Sequence, residues 1–225
     1  MAKEKKSLHL LAVRALSAVM LIAAILFISA GTIQYRAAWI FLATLICIGV
    51  PFALWLYIRT PQQFQNRLHP AEPDKSQHTV VLLIGVALCL SLAVSGLDRR
   101  YGWSHLTEWR YIIAVLLIFA SVLVYRNVFL CNPFLSNTVE IHEGHKVINQ
   151  GMYGVVRHPM YLATCMMCAA GLIILGSLFS LPLYILFFCL MYVRAKKEEK
   201  QLIDALPEYK TYMGKVKQML IPFIF

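Results

Sequence analysis

Long apolar runs separated by short polar stretches make up most of the chain. They cover residues 8–30, 37–58, 79–97, 109–130, 161–175 and 178–193. The first four have roughly the 20 residues a helix needs to cross a hydrocarbon core of about 30 Å. The last two hold about fifteen residues each, which is short for a span but sufficient for a tight helical hairpin turning at Gly176-Ser177, with Pro182 opening its second arm. The pattern predicts an all-α integral membrane protein, a bundle of five to six transmembrane helices. Pro51 falls inside the second run and predicts a kink there. The linker 59–78 contains Pro61, Pro70 and Pro73 and cannot be helical throughout, and Asn132-Pro133 ends the fourth helix. In the polar stretch 134–150, Thr138, Val139, Ile141, Val147 and Ile148 flank Gly144, the signature of a small hairpin. Tyr and Trp mixed with basic residues at 98–105 predict a cap between two helices, and residues 206–217 predict an amphipathic helix on the membrane surface.

Composition agrees with this pattern. Of 225 residues, 60% are apolar and 14% charged, and the mean hydropathy is +0.66. A soluble domain carries nearer ~45–50% apolar residues. The basic start and the apolar run to Ala30 lack a small-residue cleavage site, so this run reads as a retained span. In a soluble protein a net charge of +10 would suggest nucleic acid; here it sets orientation. Lys and Arg number 17 on one side of the predicted spans and 4 on the other. The positive-inside rule therefore predicts a multi-pass protein of an inner or plasma membrane with both termini cytoplasmic, and no nucleic-acid partner.

Candidate chemistry concentrates in two places, Gly151-Met152-Tyr153-Gly154-Val155-Val156-Arg157-His158-Pro159-Met160-Tyr161 and Arg194-Ala195-Lys196-Lys197-Glu198-Glu199. Ionisable groups at a membrane boundary are costly and point to function. Pro159 suits the first turn of a helix, which puts His158 or Arg157 at its N-cap, where free amides attract an anion. Gly151 and Gly154 would let the preceding backbone turn sharply. Two plainer readings compete: Arg157 and His158 as headgroup anchors, and Arg194–Glu198 as an i,i+4 ion pair. Metal is not expected. His142-Glu143-Gly144-His145 lacks the helical spacing of a zinc motif, and Cys165 and Cys168 lie within an apolar run as packing residues.

Gly151-x-Tyr153-x-x-Val156-Arg157-His158-Pro159-x-Tyr161, followed by Arg194-x-x-x-Glu198-Glu199-x-x-Leu202 and Glu208-Tyr209, resembles the isoprenylcysteine carboxyl methyltransferase family and its phospholipid-methylating relatives. The resemblance runs from about residue 132 to 222 and includes Asn132-x-Phe134 and Gly144-His145-Lys146-Val147. It implies a single membrane domain with N-terminal helices over 1–131 and a catalytic region over 132–225 that forms a cytoplasmic pocket for S-adenosylmethionine. His145, Gly151, Tyr153, His158, Tyr161, Glu198 and Glu199 would bind the cofactor. Arg194 and Glu198 would act in catalysis, with Arg194 facing the acceptor. Met152 and Gly154 depart from the family pattern, which often has proline and a basic residue there. The implied reaction is methyl transfer to a lipophilic or prenylated acceptor, most simply the carboxylate of an isoprenylcysteine, among membrane lipids as neighbours. Phospholipid headgroup N-methylation and a non-catalytic or sterol-reductase-like membrane protein are the alternatives.

Overall fold

The computed structural model describes residues 2–61, 64, 75–132 and 147–222. The described residues form α1 (Ala2–Ala30), α2 (Arg36–Arg59), α3 (Lys75–Tyr101), α4 (Arg110–Cys131), a 3₁₀ turn (Gly151–Gly154), α5 (Pro159–Leu175), α6 (Leu181–Ala205) and α7 (Glu208–Lys215). Helices α1 to α4 each contain a segment long and apolar enough to cross a membrane, and α5 is a shorter apolar helix. Large apolar side chains such as Leu16, Ile28, Ile58, Ile112, Leu116 and Phe119 stand more than half exposed. Such coverage is what a lipid-facing surface requires. The protein is an all-α membrane bundle.

Two seams position the C-terminal helices. Along α4 and α5, Ala114 and Ile118 pack on Ala170 and Ile174, and the Ser121 hydroxyl donates to the Ala163 carbonyl at 2.8 Å. Farther along, the Tyr125 and Thr164 hydroxyls meet at 2.7 Å. These side chains satisfy one another where water is absent. Along α3 and α6, Ala87 packs on Phe187, Met191 and Ala195, and the same cluster includes Tyr161 and Cys165 of α5. Hence α5 is gripped from both sides.

The α5–α6 hairpin turns where the sequence predicts. Gly176 ends α5 with φ +71°, a left-handed conformation that suits glycine, and Pro182 sits in the first turn of α6. A carboxylate holds this turn. Asp98, at the end of α3 and only 3% exposed, accepts hydrogen bonds from the Ser104 amide and hydroxyl, both at 2.7 Å, and from the Ser177 hydroxyl at 2.6 Å. The 98–105 cap is thus also a clasp joining two loops. Pro51 lies within an uninterrupted α2. The proposed hairpin around Gly144, and with it His142 and His145, lies outside the described residues; Val147 and Ile148, which are described, are irregular.

Between α2 and α4 an apolar groove of about 590 Å³ opens sideways, lined by Thr44, Cys47, Pro51, Phe52, Trp55 and Phe119 among others. Phe52 and Trp55 also belong to the cluster that packs Phe129, Tyr153 and Met160. The groove therefore adjoins the start of α5.

Candidate functional site: where α5 begins and α6 ends

Local backbone chemistry fixes the approach to α5. Gly151 has φ +59°, and a Cβ there would stand 2.4 Å from Asn127 Oδ1 and 2.7 Å from Cys131 Sγ. That closeness lets Asn127 Oδ1 accept the Met152 amide at 2.7 Å, which ties the 3₁₀ turn to the last turn of α4. Tyr153 is fixed from two directions: Asn132 Nδ2 donates to its hydroxyl at 3.0 Å, and the Tyr212 hydroxyl of α7 donates to its carbonyl at 2.6 Å.

His158 is the N-cap of α5 and makes no capping bond with its side chain, while Pro159 occupies the first turn. The imidazole is therefore available for other partners, and α6 supplies them. Nε2 lies 3.3 Å from Glu199 Oε1 and Nδ1 lies 3.8 Å from Glu198 Oε2. One turn along α5, the Tyr161 hydroxyl donates to Glu198 Oε2 at 2.6 Å. The His158 and Tyr161 rings are nearly parallel, with centroids 5.5 Å apart. The guanidinium of Arg194 lies 5.4 Å from the centre of the Tyr161 ring, within the range of a cation–π contact. Among the described residues its Nε is buried without a hydrogen-bond partner.

The adjacent glutamates have different surroundings. Glu199 is 3% exposed and receives Arg157 Nε at 2.5 Å as well as His158. Burial alone would raise its pKa, but hydrogen bonds and charge from His158 and Arg157 outweigh this and hold it below the usual carboxylate value. The Glu198 side chain keeps a quarter of its surface exposed. One carboxylate is committed inward and the other faces a more open space.

Arg157 is not a headgroup anchor. It is buried, and besides Glu199 its Nη1 donates to the carbonyls of Val216 and Lys217 at 2.9 and 2.6 Å. The backbone amides of Arg157 and His158 donate to the carbonyls of Gln218 and Met219 at 2.9 and 3.0 Å. The two amides that precede α5 are thus tied to the segment that follows α7. The amphipathic helix expected at 206–217 exists as α7, with Tyr209 and Tyr212 turned into protein beside Val147 and Leu202.

Of the residues singled out in the sequence, His158, Tyr161, Arg194, Glu198 and Glu199 converge in one cluster. Gly151 and Tyr153 flank it on the α4 side, and His145 lies outside the described residues. Sequence reasoning missed Asn127, the inward role of Arg157 and the 216–219 segment. A polar residue in the last turn of an apolar helix was the available signal for Asn127. Residues 112–204 match the isoprenylcysteine carboxyl methyltransferase family, and that region contains the whole cluster from Arg157 to Glu199. No curated protein matches the chain.

Proposed function

We propose that this membrane protein, whose residues 112–204 match the isoprenylcysteine carboxyl methyltransferase family, transfers a methyl group from S-adenosylmethionine to a lipophilic acceptor. The acceptor we favour is the carboxylate of an isoprenylcysteine or an analogue. One observation carries the reading: Arg157, Glu199, His158, Glu198, Tyr161 and Arg194 form an unbroken series of contacts between two helix ends.

The chemistry of this set suits the cofactor. S-adenosylmethionine supplies a methyl carbon already activated by a positively charged sulfur, and it also carries an ammonium and a carboxylate. Glu198, the more open of the two carboxylates, is the group for the ammonium. Glu199 supports it from behind through His158. The aromatic faces of Tyr161 and Tyr153 suit an adenine or a cation. Gly151 keeps the loop close to α4, and His145 is assigned to the same site on resemblance. Arg194, with an uncommitted buried Nε, is the group to draw in a carboxylate, since its planar fork matches two oxygens at once. A carboxylate acceptor carries no proton to be removed, so the site needs no general base. Its work is alignment and exclusion of water. The groove between α2 and α4 has the size and apolar lining to take a lipid tail.

In this reading residues 132–225 form the catalytic region and residues 1–131 the membrane frame, with both termini and the site on the cytoplasmic face. Isothermal titration of the detergent-purified protein with S-adenosylhomocysteine tests it. Binding to wild type that weakens about tenfold or more in Glu198→Ala is expected. A wild type that does not bind, or a Glu198→Ala variant that binds equally well, overturns it.

A further inference from the structure

The segment 216–219 is attached to the start of α5 by four hydrogen bonds: the amides of Arg157 and His158 reach the carbonyls of Gln218 and Met219, and Arg157 Nη1 reaches those of Val216 and Lys217. The attachment continues in the apolar packing. Met219 and Leu220 are 3% and 1% exposed and share a cluster with Ala87 of α3, Tyr161 of α5 and Met191 and Ala195 of α6. The Met219–Leu220 end of the strap is thus buried against α3, α5 and α6, in the cluster that contains Tyr161, whose hydroxyl meets Glu198.

Arg157 joins this strap to the carboxylates. One guanidinium serves Glu199 through Nε and two strap carbonyls through Nη1. A planar group with several donors at fixed angles can serve three acceptors together; an ammonium on a flexible stem cannot hold the same set. Without the strap the Arg157 and His158 amides lose their acceptors in a buried place. Without Arg157, the remaining partner of Glu199 among the described residues is His158, whose ring also lies 3.8 Å from Glu198.

We infer that Arg157 is a positioning residue that acts through Glu199 and the 216–219 strap to hold His158 between the two carboxylates, and that the strap is a component of the methyl-donor site. The kinetic consequence rests on the methyltransferase reading above; the clamp itself does not. Hydrogen exchange followed by mass spectrometry on peptides covering 153–162, in the full chain, reads the clamp directly through the Arg157 and His158 amides. Arg157→Lys and Leu220→Ala should each speed that exchange by about tenfold or more. The same variants should weaken S-adenosylhomocysteine about tenfold and raise the KM for the methyl donor, while the KM for the acceptor stays within about threefold. A merely structural role would lower the active fraction and leave both KM values unchanged. Wild-type exchange in both variants overturns the clamp, and faster exchange with unaltered donor affinity overturns the strap's place in the donor site. A wild type that shows no donor affinity sinks the methyltransferase reading alone, because the exchange measurement still decides the clamp.

Discussion

Glu199 Oε1 stands 2.5 Å from Arg157 Nε, with both side chains less than a tenth exposed. Removing Glu199 leaves the Arg157 charge buried with its carbonyl acceptors but without its carboxylate. Glu199→Ala should therefore lower stability by about 3–5 kcal/mol. Glu198→Ala should cost less, about 1–3 kcal/mol, since Glu198 is partly solvated and the chief loss is the acceptor of the buried Tyr161 hydroxyl. Unfolding in detergent, followed by intrinsic fluorescence, measures the difference. Equal losses would show that the two carboxylates are not distinguished as their surroundings indicate.

The same pair makes stability depend on acid. The folded pKa of Glu199 lies below its ordinary value of 4.5. Its contribution is thus fully present above that value and disappears as pH falls through the lower folded value. The melting temperature of wild type should drop between pH 5 and pH 3 more steeply than that of Glu199→Gln, already destabilised and with no carboxylate to protonate at this position. Parallel curves would refute the assignment.

Tyr161→Phe removes the hydroxyl donated to Glu198 but keeps the ring that lies beside His158 and Arg194. On the proposed function, donor affinity should fall by about three- to tenfold, the net effect of one ordinary hydrogen bond, because the lost bond orients Glu198 rather than touching the donor, with the fold intact. Titration with S-adenosylhomocysteine measures it. Wild-type affinity would mean that Glu198 needs no help from Tyr161.

Cys47 lines the groove between α2 and α4 and is exposed. Cys47→Trp should fill part of that space and raise the KM for a long-chain acceptor by about fivefold or more, leaving S-adenosylhomocysteine binding unchanged. If acceptors of every chain length are used as before, the lipid tail lies elsewhere.

Gly151→Ala should cost about 2 kcal/mol or more. The substitution adds a side chain at φ +59° and places its Cβ against Asn127 and Cys131. Asn127→Ala tests the same junction from the other side, by releasing the Met152 amide. Thermal melts that show no loss for either variant would contradict the close approach of this loop to α4.

The spans were legible because apolar length is a one-dimensional signal, and the meeting of His158 with Glu198 followed from a glycine turn halfway between them. The phase of α6 was not legible. Neighbouring residues on a helix point about 100° apart, and no letter in Glu198-Glu199 says which one turns inward. Arg157 read equally well as a surface cation because its carbonyl acceptors belong to a stretch assigned to a surface helix. Asp98 was placed correctly in a cap, but Ser177, its partner across the clasp, lies 79 positions away. The residues misjudged were those whose partners no turn or motif in the sequence brings together.

The spacing between the clamp and its acceptors has a consequence for biosynthesis. The carbonyls that Arg157 Nη1 engages lie 59 and 60 positions farther along the chain. At roughly 5–20 residues per second, a nascent chain that has completed the start of α5 waits about 3–12 seconds before those carbonyls have been made. During that interval the guanidinium lacks the two carbonyls that fix it in the finished protein, although Glu199, 42 positions along, is made before them.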